Sequence, residues 1–295
     1  MKYAMILNPV AGRGAVRKAM ERLIKISRQH WPNAEILISE YPKHAIQLAS
    51  QMASRCDVVI AVGGDGTVHE VVNGMIKSNG NAVLGVIPIG SGNDFIKNLK
   101  IPLEFEEALE VIRRGDVTRI DVGKVNDRYF SNGLGIGFDA HVVEESMKIK
   151  KLRGFAIYLV AVLKTLNYYQ NRKVHFRIGD RHSEKEIFMI SFGNGVAQGG
   201  GFYLTPDAKI NDGLLDICII HALGKLKALI HLPKAIKGKH HTLEQVQFFK
   251  TKEAIITTTE GIGAHADGEL VSMNLKEIRI SVVPNALKVI HNGMD

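Results

Sequence analysis

At roughly 150 residues per domain, a chain of 295 residues has room for two compact domains, and 45% hydrophobic residues is enough to build their cores. With 38 basic and 30 acidic residues the formal net charge is +8, which suits an anionic partner such as a membrane surface, a nucleotide or a nucleic acid. The composition excludes a disordered chain and a fibrous repeat, and no low-complexity stretch or internal repeat is visible.

In chain order, the first third alternates short apolar runs with amphipathic stretches. Residues 3–7 read as a buried strand, followed by the glycine-bearing loop Asn8-Pro9-Val10-Ala11-Gly12-Arg13-Gly14. A helix near 15–29 carries Val16, Met20, Leu23, Ile24 and Ile26 largely on one side. A strand at 34–39, a helix at 44–53, a strand at 57–62, a helix near 68–77 and a strand at 83–88 follow. This alternation predicts an α/β domain whose mostly parallel sheet is covered on both faces. From about residue 116 the texture becomes β-rich, with strand-like runs at 117–125, 174–178, 187–192, 214–220, 254–259 and 278–283. Glycine-rich turns are expected at 133–137 and 199–201, and helical interruptions at 152–169 and 225–237. The expected domains are 1–122 and 123–284, with the final strand, 287–290, free to return 285–295 to the first domain.

The run 155–163, closed by Lys164, is too short for the ~20 apolar residues of a bilayer span. The N-terminus lacks the long apolar stretch and cleavage site of a signal peptide, so the expectation is a cytoplasmic protein. Cys56 and Cys218 lie far apart in apolar runs and form no metal or redox motif, so they read as reduced core residues.

Three loops carry the chemistry. Gly63-Gly64-Asp65-Gly66-Thr67 joins a buried strand to a helix, where ligands gather in open α/β sheets. Glycines there let phosphate oxygens approach backbone N–H groups, and the helix dipole favours the negative charge. Asp65 would face phosphate unless a cation intervenes, which points to Mg²⁺ or to catalytic use. Pro88-Ile89-Gly90-Ser91-Gly92-Asn93-Asp94 follows the next strand, bringing Ser91 and a second carboxylate, Asp94. The loop from Asn8 to Gly14 follows the first strand and offers Arg13 to a phosphate. Three such loops on one sheet predict a nucleotide cleft. Gly133, Gly135 and Gly137 lack dinucleotide-fingerprint spacing, no P-loop is present, and His240-His241 fits no metal-ligand pattern.

Asn8-Pro9 with Gly12, the Gly63 to Thr67 loop, Gly90-Ser91-Gly92-Asn93-Asp94, Asn211-Asp212-Gly213-Leu214-Leu215-Asp216 and Asp267-Gly268-Glu269 together resemble the diacylglycerol kinase catalytic-domain family. That family includes bacterial diacylglycerol and related lipid kinases and the sphingosine and ceramide kinases. The resemblance implies an NAD kinase-like α/β domain, then a β-sandwich domain, with ATP in the cleft between them. It implies that Gly63, Gly64, Asp65, Gly66, Thr67, Val68, His69 and Glu70 cradle the phosphates, with Asn8, Ser39 and Ser91 nearby. Asp65 and Asp94 would organise Mg²⁺–ATP, and Glu269 matches the general base. A structural Mg²⁺ is implied at Asp212, with backbone carbonyls of Lys209 and Leu214. The implied activity is phosphorylation of a diacylglycerol-like lipid, through transient contact with the inner face of the membrane. A homodimer is common in such folds.

Two stretches offer membrane contact: 152–169, flanked by Lys148, Lys150, Lys151 and Arg153, and 225–241 with its interleaved lysines. Packing against the chain's own sheet, or a solvated helix face, accounts for either as well. An NAD kinase-like small-molecule kinase shares the aspartate loop, and a non-catalytic ATP- or lipid-binding regulator would keep the loops. Nucleic-acid binding has only the net charge behind it.

Overall fold

A computed structural model describes residues 1–78, 80–149, 152, 155–179 and 181–294. They divide into two compact units, Met1–Ile120 with Asn285–Asp295, and Asp121–Pro284. Lys150, Lys151 and Arg153, named above as basic flanks, lie outside the described residues.

The first unit runs β1 (Tyr3–Leu7), α1 (Ala11–His30), β2 (Glu35–Ile38), α2 (His44–Ala53), β3 (Val58–Gly63), α3 (Asp65–Lys77), β4 (Val83–Pro88), α4 (Phe95–Leu99) and α5 (Phe105–Arg114). β1 pairs in parallel with β2 and β3, and β3 in parallel with β4. Every residue of β3 is buried, which is why it reads as an unbroken apolar run rather than an alternating one. α2 lies against α3 so closely that a side chain on Gly74 would overlap Ile46 O and come within 2.8 Å of Ala49 Cβ. The short α4 and the amphipathic α5 fall in a stretch to which no elements were assigned above. α5 ends at Gly115, whose φ of 74° is the left-handed stop glycine provides.

β5 (Val117–Val125) leads into the second unit, which continues with β6 (Arg128–Phe130), β7 (Gly133–Gly137), α6 (Phe138–Lys148), α7 (Phe155–Tyr168), β8 (Arg172–Ile178), β9 (Arg181–Gly193), β10 (Leu215–His221), α8 (Lys225–Ile236), β11 (Val246–Thr251), β12 (Glu253–Ala266) and β13 (Glu269–Ile290). The parallel expectation does not extend here: β5–β6, β7–β9, β8–β9, β9–β10, β10–β11, β12–β7, β12–β8 and β12–β13 are all antiparallel. β7 and β8 lie end to end between the long β9 and β12, each pairing with both. The last residues of β13 belong to the first unit, where Lys288 and Val289 pair in parallel with Val83 and Leu84.

Side chains of β10 alternate between two cores, as the period of a strand requires. Ile217 and Ile219 pack with Phe130, Phe192, Ile256 and Ile278. Cys218 and Ile220 pack with Phe138, Val162, Leu166, Tyr169 and Phe188, the core shared with α6, α7 and α8. Cys56 and Cys218 are free thiols and buried. The segment 133–137, expected as a turn, is a buried strand. Its glycines serve neighbours instead of a bend: a Cβ on Gly133 would overlap Gln198, and one on Gly135 would overlap Asp139 and His265.

Candidate active site

In the first unit, backbone contacts between glycines hold the three strand-end loops together. A Cβ on Gly64 would stand 2.9 Å from Gly90 Cα, and one on Gly90 would overlap Gly64 Cα. A Cβ on Gly12 would overlap Ile89 O. Ile89 N donates to Gly63 O at 2.8 Å, and Asn8 N to Val62 O at 3.2 Å, so the ladders run on into the loops. Asn8 Nδ2 donates to Thr67 Oγ1 at 3.1 Å, tying the first loop to the first turn of α3. Gly12, Arg13 and Gly14 take positive φ values of 57°, 55° and 85°, so regular helix in α1 starts only beyond them.

Asp65 opens α3, and its Oδ1 accepts the N–H groups of Asp94 at 2.7 Å and Phe95 at 3.2 Å. Burial, and then the neighbouring Asp94 carboxylate, push its pKa up from 3.8 to about 6 against these backbone bonds. Asp94 Oδ1 meets Lys97 Nζ at 2.5 Å. Asn93, at φ 51°, accepts from Gly90 N and donates back to Gly90 O, each at 3.1 Å, which closes the third loop. Asn8, Gly63, Gly64, Asp65, Gly66, Thr67 and Asp94 thus share one linked set of loops.

Other named residues take different surroundings. Ser91 is exposed at the tip of its loop. Ser39 is buried and donates to Leu7 O at 3.4 Å. Val68 and His69 are buried in α3, so only their backbone is available to a phosphate. Glu70 caps α2 from outside: its two oxygens accept Lys43 N at 3.0 Å and Ala45 N at 3.2 Å, satisfying amides that a helix start leaves without partners.

In the second unit, Asp267 and Gly268 join β12 to β13 with Ala266 opposite Glu269. Their φ values of 50° and 85° are those of the two-residue turn that Asp-Gly favours. The turn is fixed from both sides. Asp267 accepts Ser131 N, Asn132 N and Gly133 N at 2.8–2.9 Å and Ser131 Oγ at 3.3 Å. Gly268 N donates to His265 Nδ1 at 3.2 Å, and His265 Nε2 lies 2.9 Å from Asp139 Oδ2. Because Nδ1 accepts, the ring proton sits on Nε2, directed at Asp139. Glu269 follows as an exposed side chain. Neither Asp139 nor His265 stood out in the sequence. The one local signal was Gly135, whose missing side chain makes room for the pair.

Asp139 also lines an apolar cavity of about 90 Å³, walled by Phe138, Tyr158, Val162, Phe188, Phe202 and Leu232 among others.

The Asp212 segment is already neutralised from within. Asp212 Oδ1 accepts Leu214 N at 3.1 Å, and Lys250 Nζ lies 2.8 Å from Asp212 Oδ2 and 3.1 Å from Asp216 Oδ2. Burial pushes the Asp216 carboxyl up while Lys250 pulls it down. Asp121 Oδ2 accepts Gly213 N at 2.6 Å. Among the described residues no three His, Cys, Asp or Glu side chains are grouped to hold an ion. The ammonium of Lys250 lies against both carboxylates, so an ion held at Asp212 would share the place with it.

The first unit thus offers glycine loops at strand ends around a buried aspartate, and the second an apolar cavity. Residues 2–125 match the diacylglycerol kinase catalytic domain, and 133–291 the YegS C-terminal NAD kinase beta sandwich-like domain. A diacylglycerol kinase of Staphylococcus saprophyticus is 28% identical over 293 residues, covering 96% of each chain. The crystal structure of a diacylglycerol kinase from Bacillus anthracis superposes with a TM-score of 0.76 at 25% identity, covering 99% of this chain and 97% of that one. Yeast NADH kinase complexed with NADH shares the fold alone, with a TM-score of 0.59 at 10% identity over 100% of this chain and 84% of that one. The chain belongs to the diacylglycerol kinase family: it is a lipid kinase, and such kinases use ATP. No helix among the described residues is long and apolar enough to cross a membrane.

Proposed function

We propose that this protein transfers the γ-phosphoryl group of Mg²⁺–ATP to the hydroxyl of a diacylglycerol-like lipid, giving phosphatidic acid or an analogous lipid phosphate. The observation that carries the lipid acceptor is the chain of contacts from cavity to turn. Asp139 lines the apolar cavity and bonds His265, which in turn holds the Gly268 N–H beside Glu269. An apolar acceptor entering at that cavity would bring its polar end toward Asp139 and the turn that carries Glu269, and Glu269 is the base that takes the hydroxyl proton.

Phosphoryl transfer needs positioning and charge neutralisation more than covalent chemistry. The amides at the start of α3, with Gly64 and Gly90 bare of side chains, are suited to phosphate oxygens. Asn8 and Thr67 steady that turn, and Ser39 and Ser91 would approach the nucleotide from the loops beside it. Mg²⁺, when bound with ATP, neutralises phosphate charge; Asp65 and Asp94 are the acids that would hold it, and Asp65 must be ionised to do so. The protein would work in the cytoplasm and meet the inner face of the membrane only in passing.

Glu269→Gln tests the assignment. Turnover should fall below detection while the circular dichroism spectrum and Tm stay those of the wild type. Near-normal kinase activity in that variant removes Glu269 from the role.

A further inference from the structure

α8 presents two opposite faces. At 100° per residue, Ala228, His231, Leu232 and Ala235 share the face that lines the apolar cavity. Leu226, Leu229 and Ile230 share the other face, with relative exposures of 71%, 45% and 61%, and Pro233 continues the same stripe. Large apolar side chains this exposed, three within two turns, are not a solvated helix face. Lys227 and Lys234 flank the stripe on one side and Lys225 on the other, and Lys237 and Lys239 follow. No aspartate or glutamate occurs from Leu223 to Leu243.

We propose that the outward face of α8 docks on an anionic bilayer, so that the helix closing the cavity is the one seated in the headgroup region. An apolar stripe with basic borders is the pattern of a helix lying in the interface, and lysines at its edges are drawn to anionic lipid. A second copy of this chain is a poorer occupant. A two-fold contact through this stripe would set lysines against lysines, and one short stripe is small beside the roughly 800 Å² per partner of a stable interface. The proposal rests on the lipid-kinase reading and names the surface from which the acceptor is drawn.

The test uses the full chain in three forms: wild type, Leu226→Ser/Leu229→Ser/Ile230→Ser, and Lys227→Gln/Lys234→Gln. Each is sedimented with vesicles of phosphatidylcholine alone or mixed with phosphatidylglycerol, and assayed on a short-chain diacylglycerol in detergent micelles. Wild type should favour the phosphatidylglycerol vesicles and be released by salt. Each variant should partition about tenfold less or weaker still, with micellar activity within about twofold of wild type, since none of the substituted side chains lines the cavity. Undiminished sedimentation of the serine variant overturns the proposal. So does a wild-type dimer that the serine variant converts to monomer, which would make the stripe a self-interface. A wild type that phosphorylates no lipid in micelles defeats the functional reading, while sedimentation still decides the docking surface because it needs no turnover.

Discussion

Asp65→Asn should make the protein more stable and nearly inactive. The carboxyl pKa is raised from 3.8 to about 6, so the fold disfavours its charged form. Each pK unit is worth about 1.4 kcal/mol, which puts the penalty on the folded state at about 3 kcal/mol once the group is ionised. The sign follows from linkage: the penalty is absent below about pH 4, grows as pH rises, and is complete above about pH 6. Asparagine keeps an oxygen for the N–H groups of Asp94 and Phe95, whose preference for the charged form is already within the shift, but it buries an amide NH₂ in place of a carboxylate oxygen, a loss of about 1 kcal/mol or somewhat more. The net gain at pH 8 is then about 1–2 kcal/mol, or about 2–6 °C in Tm for a chain of this size. At pH 5 most of the gain should be gone. Differential scanning fluorimetry of both proteins from pH 5 to 8, with kinase assays on the same samples, reads both effects. Turnover should drop by about a hundredfold or more. A variant less stable than wild type at pH 8, or a Tm difference that ignores pH, refutes the electrostatic reasoning.

Three other perturbations separate the remaining roles. Asp267→Ala removes the acceptor of three backbone amides and one hydroxyl; chemical denaturation should show a loss of about 3 kcal/mol or more, against a small loss if the turn holds without it. Lys250→Met strips Asp212 and Asp216 of their cation, so the variant's Tm should fall in chelator and recover with added Mg²⁺, while wild type responds to neither; a wild type that chelator destabilises contradicts the view that Lys250 fills that place. Wild-type kcat/KM for ATP, which reports the free enzyme, should decline as pH falls through about 6, where Asp65 takes up a proton, and a kcat/KM profile flat from pH 5 to 8 would argue against an ionised Asp65 at the phosphates.

The first unit was legible because strands buried on both faces read as apolar runs. The expected strands at 3–7 and 83–88 and the helix at 44–53 coincide with β1, β4 and α2. The glycine loops were visible as motifs, but their reasons were not. That Gly64 and Gly90 touch, or that Gly12 passes under Ile89, depends on which loops meet in space. The left-handed residues Gly12, Arg13 and Gly14 pushed the regular part of α1 back to near the expected start at 15. In the second unit, glycine spacing in β7 pointed to a turn because glycine usually marks one; here it makes room for Gln198, Asp139 and His265. The Asp139–His265 contact joins residues 126 positions apart, and no local pattern carries such a pairing. α6 went unread, since its apolar face is short and interrupted by Asp139 and His141. The resemblance implied an ion at Asp212, but its lysine partner, Lys250, lies 38 residues on, in β11, beyond any local pattern.

Radiolabelled ATP, offered to the wild-type protein with a panel of lipid alcohols in mixed micelles and with NAD, tests the central claim most directly. The account predicts label on a diacylglycerol-like lipid and none on NAD, with the lipid label lost in Glu269→Gln. Label on NAD alone would contradict it.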